Sequence, residues 1–282
     1  MMARWLRWGS LTVGAAAGIA AFLYPFFLPA ARTANPDAAH SVDAPIAFFA
    51  LLGLTLVATL AAVEARGFDA KTVALLGVLV AMNAALRIVP APAGASGMFF
   101  LPILAGYAFG AEFGFLLGTL SMAVSALATG GIGPWLPYQM WALGWLGLTA
   151  AWLPRFPTRP RLEALVLALF GGAWGFLFGA IMNLWFWPFV AGDPAQSWQA
   201  GLGVAAAVQR YAVFYVTTSL WWDLAGAAVN FLVLFLFAPP LLRVLRRFRR
   251  RFEVRYGHRP PTTDHGAPRA SSPDVARLDR MG

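Results

Sequence analysis

A few polar side chains sit where a membrane helix has no ordinary use for them. Asn83 and Arg87 are spaced i, i+4, so they share one helical face. Asp223 and Asn230, seven residues apart, share another. Gln139 follows the break Thr129-Gly130-Gly131-Ile132-Gly133-Pro134, close to Trp135 and Tyr138. Asn183 stands two residues before Trp185. These groups can donate and accept hydrogen bonds and carry one charge of each sign. That is the chemistry of recognising a solute.

It is not the chemistry of catalysis. Intramembrane acid–base or metal chemistry wants paired acids or histidine. Here Asp223 is the only acid expected at membrane depth, and His40, His258 and His265 fall in loops or tail. The chain has no cysteine, so thiolate sites and disulfides are excluded. It has no GxxxxGK[ST] loop, so ATP-driven movement of a solute needs a partner ATPase. No catalytic residue, metal ligand or cofactor is predicted.

The elements that must position these groups are membrane helices. The chain is 60% hydrophobic and 12% charged with mean hydropathy +0.66, against about 25% charged for globular chains. Its apolar runs are continuous rather than alternating, which selects helices over a barrel. From Phe113 to Pro154 no charged residue occurs, room for two spans joined at the Gly/Pro break. The whole pattern predicts an all-α integral membrane protein with eight spans: 8–31, 45–63, 72–89, 96–110, 113–129, 136–153, 162–188 and 211–238, the last stopped by Pro239-Pro240. The first run is too long for the apolar region of a signal peptide. Residues 189–210 read as a polar loop, and Glu112 as a solvated residue at a turn.

Eight spans put Arg4, Arg7, Arg66, Lys71, Arg155, Arg159, Arg161 and the arginines of 243–255 on one side, which the positive-inside rule makes cytoplasmic. Both termini are then cytoplasmic, in the cell membrane. The tail from Arg243 holds eleven arginines and four acids, most of the net charge of +9. That signals contact with anionic lipid, not nucleic acid. Residues 241–256 are expected to prolong the last helix or lie on the leaflet, and 257–282 to be disordered.

Two features of the third span stand opposite each other. Gly77, Ala81 and Ala85 form a ladder of small residues, about 160° around the helix from Asn83 and Arg87. Such a smooth face lets a second helix approach closely, either inside the fold or on a partner. Arg87 has a plain alternative, snorkelling to headgroups, and Asp223 has another, an ion pair with Arg87. Trp135, Tyr138, Trp141, Trp185, Trp187, Trp221 and Trp222 crowd the outer ends. An interfacial belt explains rings there; Gln139 and Asn183 among them suggest an aromatic-lined small-molecule site.

Three stretches carry a family likeness. They are Ala81-Met82-Asn83-Ala84-Ala85-Leu86-Arg87-Ile88-Val89-Pro90, then Leu101-Pro102-Ile103-Leu104-Ala105-Gly106-Tyr107-Ala108-Phe109-Gly110 with Gly114-Phe115-Leu116-Leu117-Gly118, Ser121 and Ser125, and finally Gly130-Gly131-Ile132-Gly133-Pro134-Trp135-Leu136-Pro137-Tyr138-Gln139-Met140 with Gly144-Trp145. Over about 72–240 the chain resembles the substrate-binding S components of energy-coupling factor (ECF) vitamin transporters. The resemblance implies a six-helix core without catalytic activity that binds a vitamin near the outer face. It implies docking on a transmembrane coupling protein, itself bound to two ABC ATPases, through the alanine-spaced face at Ala81 and Ala85, extended by Gly77. Substrate contacts are expected at Asn83, Arg87, Trp135, Tyr138, Gln139, Asn183, Trp185, Trp222 and Asp223. The aromatic content points to a bulky, flat vitamin, cobalamin or a related corrinoid first, riboflavin or thiamine next. The chain departs from the family by two extra helices within 1–64 and by its basic tail. An intramembrane lipid- or prenyl-modifying enzyme and a membrane scaffold are the alternatives.

Overall fold

The computed structural model describes residues 2–27, 70–89, 96–190 and 192–253, with isolated positions between 45 and 57. The described residues are almost entirely helical: α1 (Met2–Phe27), α2 (Ala70–Ile88), α3 (Phe100–Phe109), α4 (Ala111–Thr129), α5 (Leu136–Ala150), α6 (Pro160–Phe186) with a 3-10 turn at Trp187–Phe189, α7 (Val204–Thr218) and α8 (Leu220–Glu253). Among the described residues four helices are long and apolar enough to cross a membrane: Ala70–Ile88, Ala111–Thr129, Pro160–Phe189 and Leu220–Arg249. Thr12–Phe27 and Phe100–Phe109 are shorter apolar helices. Most of the span expected over 45–63, the loop at 32–44 and the tail from 254 onward lie outside the described residues.

The centre of the fold is α3, α4 and α5, pressed together backbone to backbone. A methyl group added at Gly106 or Gly114 would land on the carbonyl of Gly147, and one at Gly147 on the carbonyl of Gly114. Gly118 meets the Leu143 carbonyl in the same way. In lipid, where apolar surface gains nothing by leaving its surroundings, close van der Waals contact of this kind drives helix association. Leu104, Leu116, Leu117, Leu143 and Leu146 fill the remaining space, each fully buried.

The connections obey local rules. Gly110 takes φ 110° between α3 and α4, a region closed to side chains. Gly130 ends α4 in the left-handed region, and the next amide, of Gly131, bonds back to Ala126 O at 3.0 Å, a Schellman closure. The Gly/Pro break thus spans 130–135, as read from the sequence. The second pair, α6 and α8, packs along its length, with Gly175 against the backbone of Ala227.

α1 lies against α5. Its Gly18, Phe22 and Phe26 recur every fourth residue on one face. A methyl at Gly18 would strike Trp141 and Trp145, Phe22 meets Tyr138 edge-on at 5.0 Å, and Phe26 meets Trp187 and Trp198.

Four expectations are corrected. The helix read over 211–238 is two helices with a break at Ser219. Thr217 and Thr218 bond back to the carbonyls of Val213 and Phe214, the competition by which hydroxyl residues end or bend helices. α7 also begins at Val204, inside the expected loop. Pro239 and Pro240 do not stop α8, which runs on to Glu253, one of the two courses expected for 241–256; prolines free the carbonyls four residues back and are nonetheless tolerated in membrane helices. Glu112 is not solvated. It is 5% exposed in the first turn of α4, where the helix dipole favours a carboxylate.

Candidate functional site

A cavity of about 420 Å³ opens between α2, α4, α5, α6 and α8. Small-molecule sites run from roughly 300 to 1,000 Å³. Its wall carries Arg87, Gln139, Asp223, Asn230 and Ser96 as polar groups, and Met98, Phe99, Met122, Phe178 and Trp222 as apolar ones, with Gly175 and Gly226 between them.

Arg87 enters from the last turn of α2. One terminal nitrogen donates to Ser125 Oγ at 3.0 Å and approaches Met122 Sδ at 3.2 Å; the other reaches Gln139 Oε1 at 3.5 Å. The guanidinium therefore turns inward, and the snorkelling alternative does not describe it. Among the described residues all its hydrogen-bond partners are neutral. Asp223 enters from the first turn of α8. Its Oδ2 accepts from the Tyr215 hydroxyl at 2.8 Å. Gly179 makes room for it, since a methyl there would overlap the carboxylate. Arg87 and Asp223 line one cavity but form no ion pair, so the second plain alternative is not what the structure holds.

Of the sequence-derived residues, the structure gathers Arg87, Gln139, Trp222 and Asp223 on the cavity wall. The others lie elsewhere. Tyr138 is fully buried and packs with Phe22, Trp141 and Trp185; Trp135 contacts Trp185. These rings stand behind Gln139 and brace α5, because successive residues of a helix point about 100° apart. Asn183 donates to Ser219 Oγ at 2.7 Å and pins the α7–α8 break. Asn83 is fully buried off the cavity, and neither of its amide atoms has a hydrogen-bond partner among the described residues, a costly arrangement in an apolar setting.

Sequence reading did not select Ser96, Met98, Phe99, Met122 or Phe178 for the cavity. Met122 and Ser125 do share the face of α4 that meets Arg87, and Asn230 shares the face of Asp223. The apolar members carry no signal in their type. On the opposite flank of α2, Gly77, Ala81 and Ala85 are exposed, and nothing lies within 4 Å of a methyl placed on Gly77.

A second polar cluster lies at the other end of α3. Tyr107 donates to Glu163 Oε1 at 2.5 Å, Arg246 pairs with the same oxygen at 2.5 Å, and the Phe156 amide donates to it at 3.3 Å. Arg155 and Arg249 donate to the carbonyls of Tyr107 and Ala108, cations at a helix C-terminus.

No curated protein and no solved structure matches the chain. A family model, that of the ECF transporter substrate-specific component, matches residues 71–238. The match covers α2 through most of α8, the span that holds the cavity and leaves out α1. The chain therefore belongs to the substrate-specific components of ECF transporters, substrate-binding transport subunits rather than enzymes.

Proposed function

We propose that this chain captures a vitamin in the Arg87–Asp223 cavity and delivers it to a coupling protein driven by two ABC ATPases. The observation that carries the reading is the cavity itself: one charge of each sign, two carboxamides and three aromatic rings converge on a space of small-molecule size. Arg87, Gln139, Trp222 and Asp223 are the contacts we assign to the solute, with Asn230 and Phe178 added. Tyr138, Trp135 and Trp185 hold the wall rather than the solute. A volume of about 420 Å³ suits a vitamin of two or three rings, riboflavin or thiamine, better than the much larger corrinoid of cobalamin. The exposed Gly77, Ala81 and Ala85 are the docking face for the coupling protein, because a smooth helix face admits a second helix at short range. Both termini are cytoplasmic, by the distribution of arginine. The basic end of α8 then rests on anionic lipid.

The test is mass spectrometry of small molecules released from purified protein. A vitamin at near-equimolar ratio from the parent chain, and its loss from folded Arg87→Ala, is the expected result. An empty extract from well-folded protein grown in vitamin-rich medium overturns the reading. Ala81→Trp is expected to keep the bound vitamin and to lose co-purification of the coupling protein.

A further inference from the structure

The two charges of the cavity are each left incomplete by the described residues. Arg87 donates to a hydroxyl, a thioether and a carboxamide oxygen, none of them anionic. Asp223 accepts one side-chain hydrogen bond, from the neutral hydroxyl of Tyr215, through Oδ2. Among the described residues no cation pairs with it, although Arg87 lines the same space. A charge at membrane depth is costly unless it meets an opposite charge or water, and such residues mark solute pathways. The fold makes room for this one: only a residue without a side chain at position 179 lets the carboxylate lie against α6. Phe99, Phe178 and Trp222 line the cavity beside the two charges, and aromatic faces attract cations as well as stacking on flat rings.

Resting on the reading that this cavity holds the solute, we infer that the solute is a small ring compound with a positively charged nitrogen, seated on Asp223, and a hydrogen-bond acceptor at its far end, seated on Arg87 and Gln139. A cation of this kind supplies Asp223 with the counter-charge that the described residues do not provide. The acceptor completes the guanidinium, whose donors outnumber the contacts made to Met122, Ser125 and Gln139. An uncharged ring of similar size leaves the carboxylate uncompensated and binds less well. A wholly anionic solute meets repulsion from Asp223. Specificity then comes from the penalty each wrong solute incurs at one of the two charges.

The experiment uses the full-length protein in nanodiscs, stripped of endogenous solute, with thiamine as a fixed-cation ring and riboflavin as an uncharged one. On the parent chain thiamine is expected to bind at least tenfold more tightly than riboflavin. This comparison needs no variant, so it stands whether or not a variant folds. Asp223→Asn, checked for folding by its melting temperature, is expected to weaken thiamine at least tenfold and to strengthen riboflavin, because the uncompensated carboxylate is gone. Arg87→Ala is expected to weaken both. Riboflavin binding as well as thiamine, lost in Arg87→Ala but unchanged in Asp223→Asn, overturns the charge assignment while the site reading stands. Failure of both compounds to bind overturns the assignment, and loss of the co-purified molecule from Arg87→Ala then tells whether the site survives. A co-purified solute without a cationic nitrogen also overturns it.

Discussion

The two polar clusters are built from the same residue types and end up in opposite states. At one end, Glu163 is 3% exposed and takes three hydrogen bonds, from Tyr107, Arg246 and the Phe156 amide. The rings and cations close over it: Arg155 and Arg246 lie 5.6 and 6.0 Å from the centre of the Tyr107 ring. At the other end, Asp223 has one side-chain donor and Arg87 has only neutral partners, with open space between them. A closed cluster ties α3, α6 and α8 together and has nothing left to give a solute. An open one is a poor tie and a good receptor. The difference separates charges that hold the fold from charges that, on the proposed function, receive the solute.

The comparison breaks most completely if the block between the clusters is forced apart. α3 carries Tyr107 and α5 carries Gln139, and their spacing is set at Gly147. Gly147→Leu drives a side chain into the Gly114 carbonyl, where backbone cannot yield. The expected cost is about 4 kcal/mol or more, read as loss of a monodisperse peak in detergent. A mild shift in melting temperature contradicts the packing account.

Glu163→Gln separates the clusters cleanly. It removes the negative charge that Arg246 pairs with and leaves a neutral amide oxygen as the acceptor shared with Tyr107. Removing one partner of a buried pair costs about 3 kcal/mol, at the low end because Arg246 keeps 30% of its surface exposed. Chemical denaturation reads this loss, and solute bound per folded molecule is expected to stay constant. Arg87→Ala is the mirror image. It is expected to lose at least tenfold in affinity, about 1.4 kcal/mol, with denaturation barely changed, because no anionic partner is stranded. If Arg87→Ala unfolds the protein as Glu163→Gln does, the distinction between the clusters collapses.

The smallest effect is expected at α1. Phe22→Ala removes ring contacts to Tyr138 and Trp145. Aromatic pairs contribute about 1 kcal/mol, and the water-to-interior gain of a soluble core is absent in lipid. A melting-temperature drop of a few degrees, with both polar clusters intact, is the outcome that fits. No change at all means that α1 is not seated on α5 in the membrane.

Much of this was legible beforehand. Hydropathy and the shortage of charge give an all-helical membrane protein, and the Gly/Pro string at 130–134 gives the turn between α4 and α5. The spacing of Asn83, Arg87, Ala81 and Ala85 gives one polar and one smooth flank of α2. The break at 219 and the passage of α8 through 239 and 240 were not legible. A Thr-Thr-Ser triplet breaks a helix only when its hydroxyls find backbone carbonyls, and a proline pair stops one only when the freed carbonyls go unsatisfied.

Residue type and periodicity therefore determined the class of the protein, the faces of its helices and which polar groups lie at membrane depth, because these follow from one helix at a time. Only the tertiary structure decided which polar groups meet. Asn83 and Arg87 share a face, yet one is sealed inside and the other opens on the cavity. Tyr138 and Gln139 are neighbours, yet one braces the wall and the other faces the space. Which side of a helix fronts a cavity depends on what every other helix presses against it, and that is a property of the packed whole.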